Sequence, residues 1–119
     1  MTKKVLIVED QEDNRQIMSD LLTNAGYEVR LAGNGHEGVA LAQSFLPDLI
    51  LMDIQLPRMD GIEATRLIKS ALQHIPIIAV TSYALSNDRA EAEEAGCDDY
   101  LAKPISPRDL LAKVDSYLR

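Results

Sequence analysis

The chain has 119 residues, of which 46% are hydrophobic and 26% are charged, and its formal net charge is −7. This length predicts one domain with a core of its own, and the single cysteine, Cys97, excludes a disulfide framework and a multi-cysteine metal site. The acidic balance argues against nucleic-acid binding. No segment resembles a leader peptide, and no apolar run approaches the roughly 20 residues of a membrane span. We therefore expect a cytoplasmic protein without membrane insertion.

Short apolar runs alternate with longer amphipathic segments along the chain. Fully apolar runs predict strands at residues 5–8, 49–52 and 77–80. An alternating segment predicts a strand nearer the sheet edge at 27–32, and a short last strand is predicted at 99–102. Apolar residues at helical spacing predict five helices, at residues 14–25, 35–45, 62–72, from Ser86 or Asn87 to just before Gly96, and from Ser106 to Leu118. We expect a single domain over residues 1–119 with no output domain.

The pattern predicts an α/β fold. Strands that are apolar on both faces indicate a parallel sheet covered on both sides, and the β–α alternation indicates a doubly wound arrangement of five units. The strand order known for such folds is 2-1-3-4-5, and their ligands bind at the carboxyl ends of the strands, between strands 1 and 3.

Chemically active side chains follow four of the five predicted strands. They are Glu9 and Asp10 after strand 1, Asp53 after strand 3, Thr81 and Ser82 after strand 4, and Lys103 after strand 5. The predicted topology brings these strand ends to one edge of the sheet, so the set is more informative than any single member.

The three acids predict a site for a divalent cation. Carboxylates held side by side repel one another and raise at least one pKa, and Mg²⁺ relieves this repulsion. Each residue also has a structural alternative: Asp53 as a loop residue in water, Glu9 and Asp10 as a solvated pair before a helix, Thr81 as a turn cap, and Lys103 as a salt-bridge partner.

Other ligand motifs are incomplete. Residues 10–14 have the acids of a Ca²⁺ loop, but Arg15 stands where the turn glycine is needed. Neither a glycine-rich phosphate loop nor a dinucleotide fingerprint follows strand 1, so nucleotide binding is not expected.

Five segments of the sequence together resemble the receiver domain of two-component response regulators. The resemblance implies a flavodoxin-like (βα)5 three-layer fold. The matching segments are VLIVED at 5–10, PDLILMDIQLP at 47–57, MDG at 59–61, IIAVTS at 77–82 and GCDDYLAKP at 96–104. Each is weak alone, but in this order they are specific and cover the whole chain. The sequence as a whole is also similar to single-domain receivers of the cell-division-control type.

The resemblance implies a role for each acid. Asp53 would accept a phosphoryl group from a phosphohistidine on a sensor histidine kinase or a histidine phosphotransfer protein. Mg²⁺ would be held by Asp10, Asp53 and the main-chain carbonyl of Gln55, with Glu9 acting through water.

The resemblance also implies a switch. Lys103 and Thr81 would bind phosphoryl oxygens, and Tyr100 would change rotamer with Thr81 to remodel a face that binds a downstream effector protein. The Lys103–Pro104 bond would be cis, as in most receivers. Gln55 and Tyr83 occupy positions that influence hydrolysis, and the bulk of Tyr83 suggests a long-lived phosphorylated state.

The protein would then be a monomer or a phosphorylation-modulated homodimer, and not an enzyme that turns over an external substrate. Two other functions are weighed against this one. An aspartate-nucleophile phosphohydrolase needs a second aspartate where this chain has Gln55, and a phosphorylation-independent adaptor would have no need of the intact polar set.

Overall fold

The computed structural model describes residues 2–56, 59–82 and 86–119, with the backbone alone at 86–89. Its strands are β1 Lys4–Val8, β2 Glu28–Ala32, β3 Leu49–Asp53, β4 Ile77–Thr81 and β5 Asp99–Ala102. Its helices are α1 Glu12–Asn24, α2 Gly35–Phe45, α3 Gly61–Ala71, α4 Ser86–Ala95 and α5 Pro107–Leu118.

The strands form one parallel sheet in the order β2-β1-β3-β4-β5, which confirms the predicted fold. Val8 of β1 pairs with Met52 of β3, and Asp53 pairs with Val80 of β4. Thr81 pairs with Ala102 of β5. This register places the carboxyl ends of β1, β3, β4 and β5 at one edge of the sheet.

Alternate residues of the same strands belong to two different cores. One core joins the sheet to α2, α3 and α4, and it contains Leu6, Val8, Ile50, Met52 and Ala79. The other joins the sheet to α1 and α5, and it contains Val5, Ile7, Leu49, Leu51 and Ile78. Because both faces of the central strands are buried, these strands are continuously apolar.

Most element boundaries agree with the sequence pattern, and the differences have local causes. Helix α1 begins at Glu12, two residues before the predicted start. Acidic residues in the first turn stabilise the positive end of the helix dipole, but they do not contribute to the apolar periodicity from which the start was predicted. Strands β3 and β4 each extend one residue further than predicted, to include Asp53 and Thr81. Within the described residues, no helix combines the length and apolar character needed to cross a bilayer.

Candidate functional site

The structure brings the predicted acids and the lysine together at the carboxyl edge of the sheet. One carboxylate oxygen from each of Glu9, Asp10 and Asp53 lies within 4.8 Å of the other two. The Nζ atom of Lys103 lies 3.0 Å from Asp53 Oδ2 and 2.9 Å from Glu9 Oε1. Three strand ends therefore supply one compact charged cluster.

Asp53 is held in a buried position at the end of the central strand. Its side chain is 2% exposed. Its Oδ1 accepts a hydrogen bond from the Gln55 backbone N–H at 2.9 Å, and its Oδ2 accepts one from Lys103 at 3.0 Å. The alternative of a solvated loop residue is therefore excluded for Asp53.

The two acids after β1 have unequal environments. Asp10 is exposed, whereas Glu9 is fully buried. Glu9 Oε2 accepts a hydrogen bond from the Gln11 backbone N–H at 3.2 Å. Glu9 Oε1 is in ionic contact with Lys103 but has no hydrogen-bond partner among the described residues.

A buried carboxylate oxygen without a hydrogen bond is costly unless another group satisfies it. Magnesium prefers oxygen ligands, including one or two carboxylates, and retains several waters. A fully buried acid, an exposed acid and Asp53 within 4.8 Å of one another suit this preference. The residues present therefore fit a divalent cation.

The cluster shifts the pKa of both Glu9 and Lys103. Burial raises the pKa of Glu9 to about 7, neighbouring Asp53 adds to the rise, and Lys103 opposes it. Burial alone would lower the pKa of Lys103, but its contacts with Glu9 and Asp53 outweigh burial and raise it. The pKa of one carboxyl group is therefore raised, as expected, but burial contributes more to the rise than the neighbouring Asp53 does.

The pKa of Glu9 predicts how the stability of the metal-free protein depends on pH. The folded state binds the proton of Glu9 more tightly than the unfolded chain does, whose value is near 4.5. The free energy of unfolding should therefore fall as pH rises through about 4.5 to 7, and the variant Glu9→Gln should lack this component. Urea unfolding with chelator at about pH 5 and about pH 8 measures the difference.

The exposed Glu94 on α4 offers a matched control. The variant Glu94→Gln removes the same charge and should follow the wild-type pH dependence. If Glu9→Gln also followed the wild type, the proposed linkage would be wrong.

The remaining predicted residues lie on and after β4 and β5. Thr81 is 3% exposed, and its carbonyl oxygen accepts a hydrogen bond from the Lys103 backbone N–H at 2.7 Å. Tyr100 is half-buried, packs against the core on the α2–α4 side, and donates its hydroxyl to Glu93 on α4 at 3.3 Å. The Lys103–Pro104 peptide bond is cis. Tyr83 lies outside the described residues.

The charged cluster opens into a cavity of about 510 Å³. Polar and apolar side chains share its lining, which includes Asp10, Asp53, Lys103, Ile17, Pro104 and Ile105. Ile17 on α1 is 55% exposed. Among the described residues, the cluster therefore lies at an open cavity and is not sealed from solvent.

Two features of the site were not predicted from the sequence: the close approach of the Gly61 backbone to β3 and a hydrogen bond from Arg15. A Cβ atom at Gly61 would lie 2.1 Å from the carbonyl oxygen of Asp53, although the sequence indicated only a turn at residues 60–61. Arg15 donates to the carbonyl oxygen of Glu9 at 2.9 Å. No sequence pattern pointed to this contact, because an arginine on an amphipathic helix is usually solvated.

Residues 5–115 match the family model described as the response regulator receiver domain. The polar-differentiation response regulator DivK of Brucella ovis is 45% identical over 120 residues, covering 99% of this chain and 98% of that protein.

Solved structures show the same similarity. A CheY-like receiver domain protein from Methanospirillum hungatei is 35% identical with a TM-score of 0.95, covering 99% of this chain and 94% of that chain. The receiver domain of sensor histidine kinase PA1611 from Pseudomonas aeruginosa, described with a magnesium ion in its active site cleft, is 37% identical with a TM-score of 0.91. That match covers 99% of this chain and 98% of the other.

Proposed function

Because the chain belongs to the response regulator receiver family, we propose that Asp53 accepts a phosphoryl group from a phosphohistidine. A receiver domain of a two-component response regulator is a signalling protein, and receiver domains interact with histidine kinases and downstream effectors. The donor proposed here is a sensor histidine kinase or a histidine phosphotransfer protein. The observation that carries the proposal is the position of Asp53 at an open cavity, in contact with Lys103 and close to two further carboxylates.

In the proposed transfer, one carboxylate oxygen of Asp53 attacks the phosphorus atom. The bond from phosphorus to the imidazole nitrogen breaks, and its electron pair stays on that nitrogen. Because the other ring nitrogen of the phosphohistidine carries a proton, the products are an acyl phosphate and a neutral imidazole. A carboxylate nucleophile needs no general base, and the reaction depends mainly on positioning and charge stabilisation.

Lys103 and Thr81 are proposed to bind the phosphoryl oxygens. The Nζ atom of Lys103 already lies 3.0 Å from Asp53 and brings a fixed positive charge to the reacting group. Thr81 ends β4, the strand beside Asp53, and therefore places its hydroxyl on the same edge of the sheet.

Mg²⁺ is the proposed cofactor, held by Asp10, Asp53 and the Gln55 carbonyl, with Glu9 acting through water. When bound, it would supply positive charge against the phosphoryl oxygens. The carboxylate cluster supports this assignment, as does Glu9 Oε1, which is in ionic contact with Lys103 but has no hydrogen-bond partner among the described residues. The magnesium ion described for the similar receiver domain of PA1611 supports it further.

The phosphorylated state is proposed to be communicated through Thr81 and Tyr100. Tyr100 contacts both the core and Glu93 on α4, so a change in its rotamer would alter the surface formed by α4, β5 and α5. A downstream effector would bind this surface, with the protein as a monomer or a phosphorylation-modulated homodimer. The protein is proposed to act in the cytoplasm and to turn over no external substrate. Its similarity to the response regulator DivK, over 98% of that protein, supports a signalling role.

The direct test is phosphoryl incorporation from a small acyl-phosphate donor, measured by intact mass. One phosphoryl group should be gained with Mg²⁺ and essentially none with a chelator, because the carboxylates then oppose the incoming negative charge. A folded protein that gained no phosphoryl group with Mg²⁺ would contradict the proposal and favour a phosphorylation-independent adaptor.

A further inference from the structure

Arg15 reaches back from α1 to the main chain of the acid pair. Its Nη1 atom donates to the Glu9 carbonyl oxygen at 2.9 Å, and its side chain is half-buried. Four acidic residues occur at positions 9–14, yet none is an ion-pair partner of Arg15 in the part of the chain that the structure describes. The guanidinium therefore acts on a peptide group instead of neutralising a carboxylate.

The peptide that joins Glu9 to Asp10 is thereby held in place. The preceding peptide is anchored to β2, because the Glu9 backbone N–H donates to the Ala32 carbonyl oxygen at 3.0 Å. On the other side, Glu9 Oε2 accepts from the Gln11 backbone N–H. Arg15 provides the contact to the Glu9 carbonyl oxygen. The exposed Asp10 carboxylate has no hydrogen bond to another described residue, so its direction depends on the peptide that precedes it.

We propose that Arg15 is a positioning residue for the cation site. Its guanidinium holds the Glu9–Asp10 peptide so that the Asp10 carboxylate meets those of Glu9 and Asp53. This inference rests on the proposed function, since it takes Mg²⁺ to be the ion that the three carboxylates bind. Groups that orient metal ligands typically change metal affinity by about 10- to 100-fold when they are removed.

Gly33 leaves room for this guanidinium. A Cβ atom at Gly33 would lie 3.2 Å from Arg15 Nη1, and no other described heavy atom outside its chain neighbours lies within 4 Å of that position. A Cβ there would shift the guanidinium by a few tenths of an ångström, and the branched side chain of valine would leave it less room without removing its charge. The chain thus offers a second way to break the contact.

A positioning role and a purely electrostatic role of Arg15 predict opposite effects of its removal on the affinity for Mg²⁺. If Arg15 acted only as a nearby positive charge, its removal would strengthen the binding of a divalent cation because repulsion would decrease. If Arg15 orients the acid pair, its removal weakens binding. The direction of the change in dissociation constant therefore separates the two explanations.

The test is calorimetric titration of Mg²⁺ into wild type, Arg15→Ala, Arg15→Lys and Gly33→Val. Arg15→Ala should raise the dissociation constant about tenfold, Gly33→Val should raise it while keeping the charge, and Arg15→Lys should retain part of the affinity. The exposed Arg66 on α3 is the control, because Arg66→Ala removes the same charge elsewhere and should leave the constant unchanged.

A second readout needs no metal. In chelator, the amide nitrogen shift of Asp10 should change in Arg15→Ala and Gly33→Val, because the carbonyl of the same peptide loses its hydrogen bond. An unchanged or lower dissociation constant in a folded Arg15→Ala variant would overturn the positioning role. A wild-type protein that bound no Mg²⁺ would instead overturn the proposed function, and with it this inference.

Discussion

Replacing Asp53 by asparagine should abolish phosphoryl incorporation. The amide has nearly the shape of the carboxylate, and its oxygen can still accept the hydrogen bond from the Gln55 N–H. It removes the negative nucleophile, and it also removes the repulsion with buried Glu9. We therefore expect a folded protein that gains no phosphoryl group from a small acyl-phosphate donor in saturating Mg²⁺, as measured by intact mass.

Asp20 provides the control for this experiment. It is exposed on α1 and accepts a hydrogen bond from Gln16, which an asparagine oxygen also accepts. The variant Asp20→Asn makes the same chemical change outside the site and should incorporate phosphoryl as wild type does. Incorporation by Asp53→Asn at the wild-type level would show that another group is the acceptor.

Replacing Gly61 by alanine should cause the largest loss of stability among these changes. The added Cβ would lie 2.1 Å from the Asp53 carbonyl oxygen and 2.5 Å from the Ile54 Cα atom. Both are backbone atoms, so a change of side-chain rotamer cannot relieve the overlap. Moving α3 away from the sheet would weaken the packing of the buried Ala64 and Ile68.

Overpacking of this kind costs about 3 kcal/mol at the upper end of its usual range. Thermal unfolding should show a midpoint lower by roughly 10 °C, and urea unfolding should show the corresponding decrease in free energy. In Gly33→Ala the new Cβ meets only the end of a flexible arginine at 3.2 Å, so this variant should stay close to wild type. Equal midpoints for the two variants would contradict the explanation.

The sequence was sufficient to predict the fold and to place the acids near one another. Apolar runs predicted β1, β3 and β4, an alternating segment predicted β2, and a short segment predicted β5. The polar residues after four of these strands predicted one shared edge. The resemblance to receiver domains, based on segments such as VLIVED and LAKP, is confirmed by the family match. These properties depend on local periodicity and on the general rules of parallel sheets.

The sequence was insufficient to predict which of two neighbouring side chains is buried and which groups each of them contacts. Glu9 and Asp10 are adjacent in sequence, yet one is fully buried and the other exposed. The buried Glu9 carboxylate is in ionic contact with Lys103, which is far away in the chain. The contact of Arg15 with a carbonyl oxygen depends on the course of the backbone after β1. No periodicity encodes such contacts.

The division of each central strand between two cores has a consequence for evolutionary change in length. A deletion or insertion of one residue within β1 or β3 would exchange every following side chain of that strand between the two cores. Both cores would then be misfilled at once, so neither could compensate for the other. Homologous chains can therefore vary in length where surface loops connect the elements, whereas the central strands can vary only by substitution.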